Sequence, residues 1–138
     1  MFNRVSENRT GLVMTASDYA SIPGFGDLYI EDSWVLDIVA RPSVLEIAAD
    51  LVLRESHPLY QPPMPGEQYC YRRGVLAFEG ISRLEWDSSL TRPATDGSGE
   101  SDYGSFDTFV VEDGAYRLQG DFGTLLVVSE PPTVQLSN

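Results

Sequence analysis

FDTFVVEDGAYRLQGDFGTLLVVS, residues 106–129, is the stretch whose pattern decides the fold class. Two strand-like runs, Phe106 to Val111 and Ala115 to Gln119, flank Glu112-Asp113-Gly114. Asp-Gly between such runs signals a hairpin, because the tight turn needs residues that accept positive φ. Gly120-Asp121-Phe122-Gly123 then turns the chain into a third run, Thr124 to Ser129. Pro131-Pro132 closes that strand, and Thr133 to Leu136 is expected to add a short edge.

The same period extends upstream. From Leu28 onward Trp34, Leu36 and Ile38 alternate with Val35, Asp37 and Val39, and Arg41-Pro42-Ser43 supplies a turn. Val44 to Leu53 fits a helical stripe through Leu45, Ala48, Ala49 and Val52. A period of two through Leu45, Ile47, Ala49, Leu51 and Leu53 fits better, so a strand is predicted. Residues 57–66, HPLYQPPMPG, contain four prolines, which cannot donate to a β-ladder, and form a rigid connection. From about Tyr69 to Trp86, Leu76, Phe78, Leu84 and Trp86 share one parity. A long strand or two nearly continuous strands are expected there, with bulges or bends at Gly74 and Gly80. Residues 87–105 are polar and glycine-rich, a loop.

The expectation is a mainly β fold: an antiparallel curved sheet, sandwich or half-barrel, with at most one short N-terminal helix. Residues 1–26 read as a loosely organised N-terminal segment, in which a helix beginning near Thr15 or Ser17 would stop before Pro23-Gly24. Residues 27–138 read as a single antiparallel β domain. The 138-residue chain has the size of one domain, which typically buries about 68–70% of the surface its unfolded chain exposes.

Acidic side chains number 21 against 9 basic ones, all arginine, for a formal net charge of -12. That field repels phosphate backbones and anionic lipid, which disfavours nucleic acid and membrane surfaces and leaves room for a basic protein partner. No segment approaches the roughly 20 apolar residues that span a bilayer. Cys70 is the only cysteine, so no intramolecular disulfide or thiolate zinc cluster forms, and a reducing cytoplasm is the expected location.

His57 is the only histidine, and with Cys70 it brackets the proline-rich connection. A nucleophile and base pair there lacks a marked third, orienting group, and Cys70 reads as a small apolar strand residue. GxxxxGK[ST], GxGxxG, GxSxG and HExxH do not occur. Asp96, Ser98, Glu100, Asp102 and Asp107 match positions 1, 3, 5, 7 and 12 of a calcium loop, but Ser101 replaces the turn glycine and strands flank it. A solvated acidic loop is the expectation, with no metal site, cofactor or catalytic residue assigned. Arg72-Arg73 beside Tyr69 and Tyr71 suggests stacking on single-stranded nucleic acid, which the overall charge opposes.

Residues 74–86 (GVLAFEGISRLEW), 105–109 (SFDTF) and 115–136 (AYRLQGDFGTLLVVSEPPTVQL) together resemble small bacterial β-proteins grouped with immunity proteins of polymorphic toxin systems, of the Imm50-like and YxiG-like type. In that pattern a strand ending in Trp precedes an acidic, glycine-containing loop, and a Gly-Asp-x-Gly turn separates two late strands. The resemblance implies a protein that binds and blocks a toxin domain, and it carries over no functional residue.

Three functions follow. A non-catalytic, immunity-type protein would dock its acidic face on a basic partner through Asp96, Glu100, Asp102, Asp107, Glu112 and Asp113, with no basic residue from Asp96 to Asp113. A small-ligand-binding domain or enzyme would line a pocket with Trp34, Phe78, Tyr116 and Phe122. An oligomer-forming module would pair strand edges between chains. The first leads.

Overall fold

The hairpin at residues 106–129 is one end of a long antiparallel sheet in the computed structural model, which describes residues 16–88, 94–95 and 101–137. The strands are β1 (Ala16–Asp18), β2 (Leu28–Arg41), β3 (Val44–Leu53), β4 (Tyr71–Glu79), β5 (Arg83–Asp87), β6 (Ala94–Thr95), β7 (Ser101–Asp102), β8 (Gly104–Glu112), β9 (Ala115–Gly120), β10 (Gly123–Val128) and β11 (Thr133–Leu136). The sheet runs in the order β11-β4-β3-β2-β8-β9-β10-β5 and does not close, while β6 and β7 pair with each other. No helix among the described residues is long and apolar enough to cross a membrane.

Local chemistry explains the turns. Asp113 (φ +48) and Gly114 (φ +81) fill the two-residue connection between β8 and β9, where Glu112 faces Ala115. Pro42 and Ser43 make the equally short β2–β3 turn. The single helical element among the described residues is a 3-10 turn, Tyr19–Ser21, capped by the Asp18 carboxylate, which accepts from the Ala20 amide at 2.9 Å.

The β8 strand joins two halves. Gly104 and Ser105 pair with β2, Val110 to Glu112 pair with β1, and β9 takes the other side. The halves face each other across an aromatic core. Phe78 of β4 meets Phe109 of β8 at 6.1 Å between ring centroids and Tyr116 of β9 at 5.8 Å. Tyr19, Ile22 and Phe25 close one end, with Phe25 edge-on to Phe109 at 5.8 Å. Removing a buried ring of this kind costs about 3–5 kcal/mol, so these contacts dominate what holds the halves together.

Two details differ from the strand pattern. The parity expected for Trp34, Leu36 and Ile38 breaks, because the β2–β3 register shifts between Val35 and Asp37. Val35 and Ile38 are buried as a result, while Trp34 and Leu36 are half-buried. The stretch from Tyr69 to Trp86 holds two strands separated by residues 80–82, the second of the two arrangements expected, but their pairing partners differ. β4 lies between β3 and β11, whereas β5 pairs with β10 in the opposite half. Gly74 is not a bulge but lies in regular register between Ala49 and Leu136. A Cβ there would sit 2.9 Å from the Gln135 carbonyl and the Leu136 side chain, so glycine lets β11 approach.

Candidate functional site

The acidic positions separate. Asp96 and Glu100 lie outside the described residues, as does Ser98, and Asp102 stands on β7 opposite Ala94. Asp107 is exposed at the register shift of β8. Glu112 accepts from Arg117 Nε at 2.9 Å, which neutralises it, and Asp113 is exposed in the turn. Asp107 and Glu112 stand about 17 Å apart along the strand at ~3.4 Å per residue. Among the described residues, no group of His, Cys, Asp and Glu side chains is placed to hold a metal ion.

Of the aromatic positions, Phe78 and Phe122 have no exposed surface and Tyr116 almost none. Phe78 packs on Tyr116, and Phe122 meets Phe106 at 5.4 Å, edge to face. Trp34 is half-buried on β2. Trp86 stays partly exposed, its indole N–H donating to the Phe122 carbonyl at 2.8 Å. His57 Nδ1 accepts from the Leu59 amide at 3.0 Å, and Cys70 Sγ accepts from the Gln61 amide at 3.5 Å. Both are thus engaged by the backbone of the connection they bracket.

A different feature draws side chains to one place. β3 and β4 pair up to Val52 and Tyr71, a register that a turn of two to five residues would close, yet residues 54–70 intervene. That connection is ordered by its own bonds: His57 N to Arg54 O at 2.9 Å, Tyr60 N to His57 O at 3.0 Å, Glu67 N to Met64 O at 2.9 Å and Leu53 N to Cys70 O at 2.9 Å. Its prolines restrict φ, and Tyr60 and Cys70 anchor it against the core. Between it and β2 lies a groove of about 280 Å³ lined by Tyr29, Arg54, Tyr60, Pro63, Gln68 and Tyr69, among others.

On the β2 side the groove is lined by Tyr29, which stands at the start of a bulge. Between the pairs Tyr29–Val52 and Trp34–Asp50, residues 30–33 oppose the single residue Leu51. Ser33, buried to 1% exposure, repairs the ladder: its hydroxyl accepts from the Val52 amide at 3.0 Å and donates to the Tyr29 carbonyl at 2.9 Å. The extra chain length turns Glu31 and Asp32 outward, both exposed. Glu31 accepts from the buried Tyr19 hydroxyl at 2.7 Å, and that hydroxyl accepts from the Ile30 amide at 3.1 Å and Arg54 Nη2 at 3.3 Å. Arg54 Nε donates to the Leu28 carbonyl at 2.9 Å, which holds its guanidinium 4.8 Å from the Tyr29 ring centroid.

The Asp32 carboxylate beside the Tyr69 hydroxyl is the first cause, ahead of desolvation, of the raised Tyr69 pKa. The Tyr71 pKa is raised by desolvation first and then by the carboxylates of Asp32, Glu67 and Asp50. Burial raises Tyr19, followed by its bond to Glu31. The groove and its margin therefore present phenol rings in a negative field, a setting for binding a cation or a polar, aromatic-seeking surface. Two sequence signals pointed here: the polar triplet Glu31-Asp32-Ser33 inside a strand run, and Tyr69 and Tyr71 after the prolines. The chain matches no family model, and comparison with curated proteins and with solved structures finds no relative.

Proposed function

We propose that this is a binding protein of the immunity type, which covers a basic protein partner with its acidic surface and seats part of that partner in the tyrosine-lined groove. The carrying observation is the groove itself. A long, hydrogen-bonded, proline-stiffened connection holds Tyr29, Tyr60, Tyr69 and Arg54 at the surface where a short turn would close the strands. Tyr and Arg are the residue types that dominate binding hot spots, and a stiff wall reduces the ordering cost of association. The net charge of -12 sets the sign of the partner and makes encounter fast and salt-sensitive. Free Cys70 suits a reducing cytoplasm.

A groove of about 280 Å³ lies just below the usual range of drug-sized ligand pockets, roughly 300–1,000 Å³, and suits a protruding side chain better. Immobilised protein exposed to its native lysate at low salt is expected to retain a basic protein that high salt releases. Retention should fall when Tyr29 and Tyr69 are replaced by Ala. No retained protein, or retention indifferent to both salt and these substitutions, refutes the reading.

A further inference from the structure

We infer that the corner formed by Tyr69, Tyr71 and Asp32 receives the guanidinium of an arginine side chain from the partner, in preference to a lysine ammonium. This rests on the binding role proposed above and specifies the group recognised.

The Tyr69 and Tyr71 rings stand 6.1 Å apart at 83°, so a planar cation meets the face of one ring and the edge of the other. Tyr71 is 39% exposed, leaving ring surface open to a visitor. Asp32 lies beside Tyr69, and its carboxylate has lone pairs to accept guanidinium N–H groups. Glu67 adds negative charge around Tyr71, while the nearby Asp50 carboxylate is already paired with Arg73.

Cations of the chain itself surround this corner but are held elsewhere. Arg73 pairs with Asp50 at 3.3 Å, Arg72 donates to the Ser137 carbonyl at 3.1 Å, and Arg54 is bound to Leu28 and Tyr19. Arg54 also demonstrates the chemistry in the same groove: its guanidinium lies against the Tyr29 ring while its N–H groups reach oxygen acceptors. An incoming arginine at the corner would repeat that arrangement with Tyr71 and Asp32. Arginine suits it because a planar, weakly hydrated guanidinium stacks on a ring and forks onto a carboxylate, whereas an ammonium remains a strongly hydrated point charge.

The test uses two blocked pentapeptides, GRGRG and GKGKG, titrated into the full chain at low salt and followed by amide and tyrosine-ring chemical shifts. The arginine peptide is expected to bind about 2- to 5-fold more tightly, the range of one ring-stacked cation at an exposed site. Shifts should centre on residues 29–32 and 69–71. Tyr71→Ala and Asp32→Asn should each remove most of that preference, while Tyr71→Phe keeps it. Equal binding of the two peptides, no binding of either, or a preference that survives Tyr71→Ala overturns the inference. Lysate capture that persists in Tyr71→Ala, alongside equal peptide binding, overturns the arginine corner alone; absence of any capture overturns the binding role.

Discussion

Replacing Ser33 with Ala isolates the bulge that begins next to Tyr29 of the groove. The Ser33 hydroxyl both accepts from the Val52 amide and donates to the Tyr29 carbonyl, at 3.0 Å and 2.9 Å, where four residues of β2 oppose one of β3. Val52 is 3% exposed, so water reaches its amide poorly once the hydroxyl is gone. A buried donor left without a partner costs about 1–3 kcal/mol. For a domain of this size each kcal/mol lowers Tm by roughly 4 °C, which places the expected drop at about 4–12 °C. Urea unfolding followed by fluorescence of Trp34 and Trp86 should show the same loss as a lower midpoint at unchanged slope. Ser82→Ala is the control, since that exposed hydroxyl makes only a 3.4 Å bond to Val128 O, and its effect should stay within about 0.5 kcal/mol. A Ser33→Ala change no larger than the control refutes the role assigned to the hydroxyl. The variant should also loosen Asp32 from Tyr69, bringing that phenol closer to its ordinary ionisation, measurable by ring chemical shifts against pH.

Gly74→Ala should push β11 off the sheet edge, because its Cβ would meet backbone 2.9 Å away; faster amide exchange at Val134 and Leu136 with an unchanged core is the expected result. Gly114→Ala meets no neighbouring atom and tests conformation alone, so it should cost about 1–2 kcal/mol by forcing φ +81 on a Cβ-bearing residue. Alkaline stability follows from the tyrosines. Tyr19, Tyr69, Tyr71 and Tyr116 all have pKa values raised above 10.0 in the fold, so the neutral phenol is favoured there. The stability this contributes is fully present below pH 10 and is lost as pH rises through the folded values. Denaturant midpoints should be level from pH 8 to 10 and fall above it, and Tyr19→Phe should reduce the slope of that fall.

The antiparallel β class was legible because its determinants are local. Asp113-Gly114 names its own turn, Pro42-Ser43 ends one strand and starts another, and the odd-numbered apolar residues from Leu45 to Leu53 fit period two better than the competing helical stripe. What escaped the pattern depends on partners. Trp34, Leu36 and Ile38 share a parity, but the register shift against β3 between Val35 and Asp37 rotates them apart. Leu84 and Trp86 continue the parity of Leu76 and Phe78, yet the chain crosses between halves at residues 80–82 and pairs β5 with β10. The groove was half visible: the prolines, Tyr69 and Tyr71 announce a stiff aromatic segment, but nothing local reveals that Asp32 and Arg54 arrive beside it. The acidic run from Asp96 to Asp113 is conspicuous in composition, whereas the carboxylates around Tyr71 come from separate elements at residues 32, 50 and 67.

Two devices that interrupt strand pairing meet at this groove, and their coincidence argues for a role beyond stability. The bulge gives up ladder bonds that Ser33 only partly restores, and ordering residues 54–70 costs conformational entropy that a two-residue turn avoids. The apolar return is limited, since Tyr29 and Tyr71 remain 38% and 39% exposed and Leu59 and Met64 more so. The β2–β3 and β8–β9 turns show that this chain closes hairpins with two residues where nothing else is required. Joining β3 to β4 by a short glycine-containing turn in place of residues 54–70 should therefore leave a cooperative unfolding transition, because Leu45, Ile47, Leu76 and Phe78 keep their core positions. Partner capture and the arginine preference should both disappear. A shortened chain that folds and still captures its partner would place recognition elsewhere on the acidic surface; one that cannot fold would make the connection a structural requirement and remove the argument from its length.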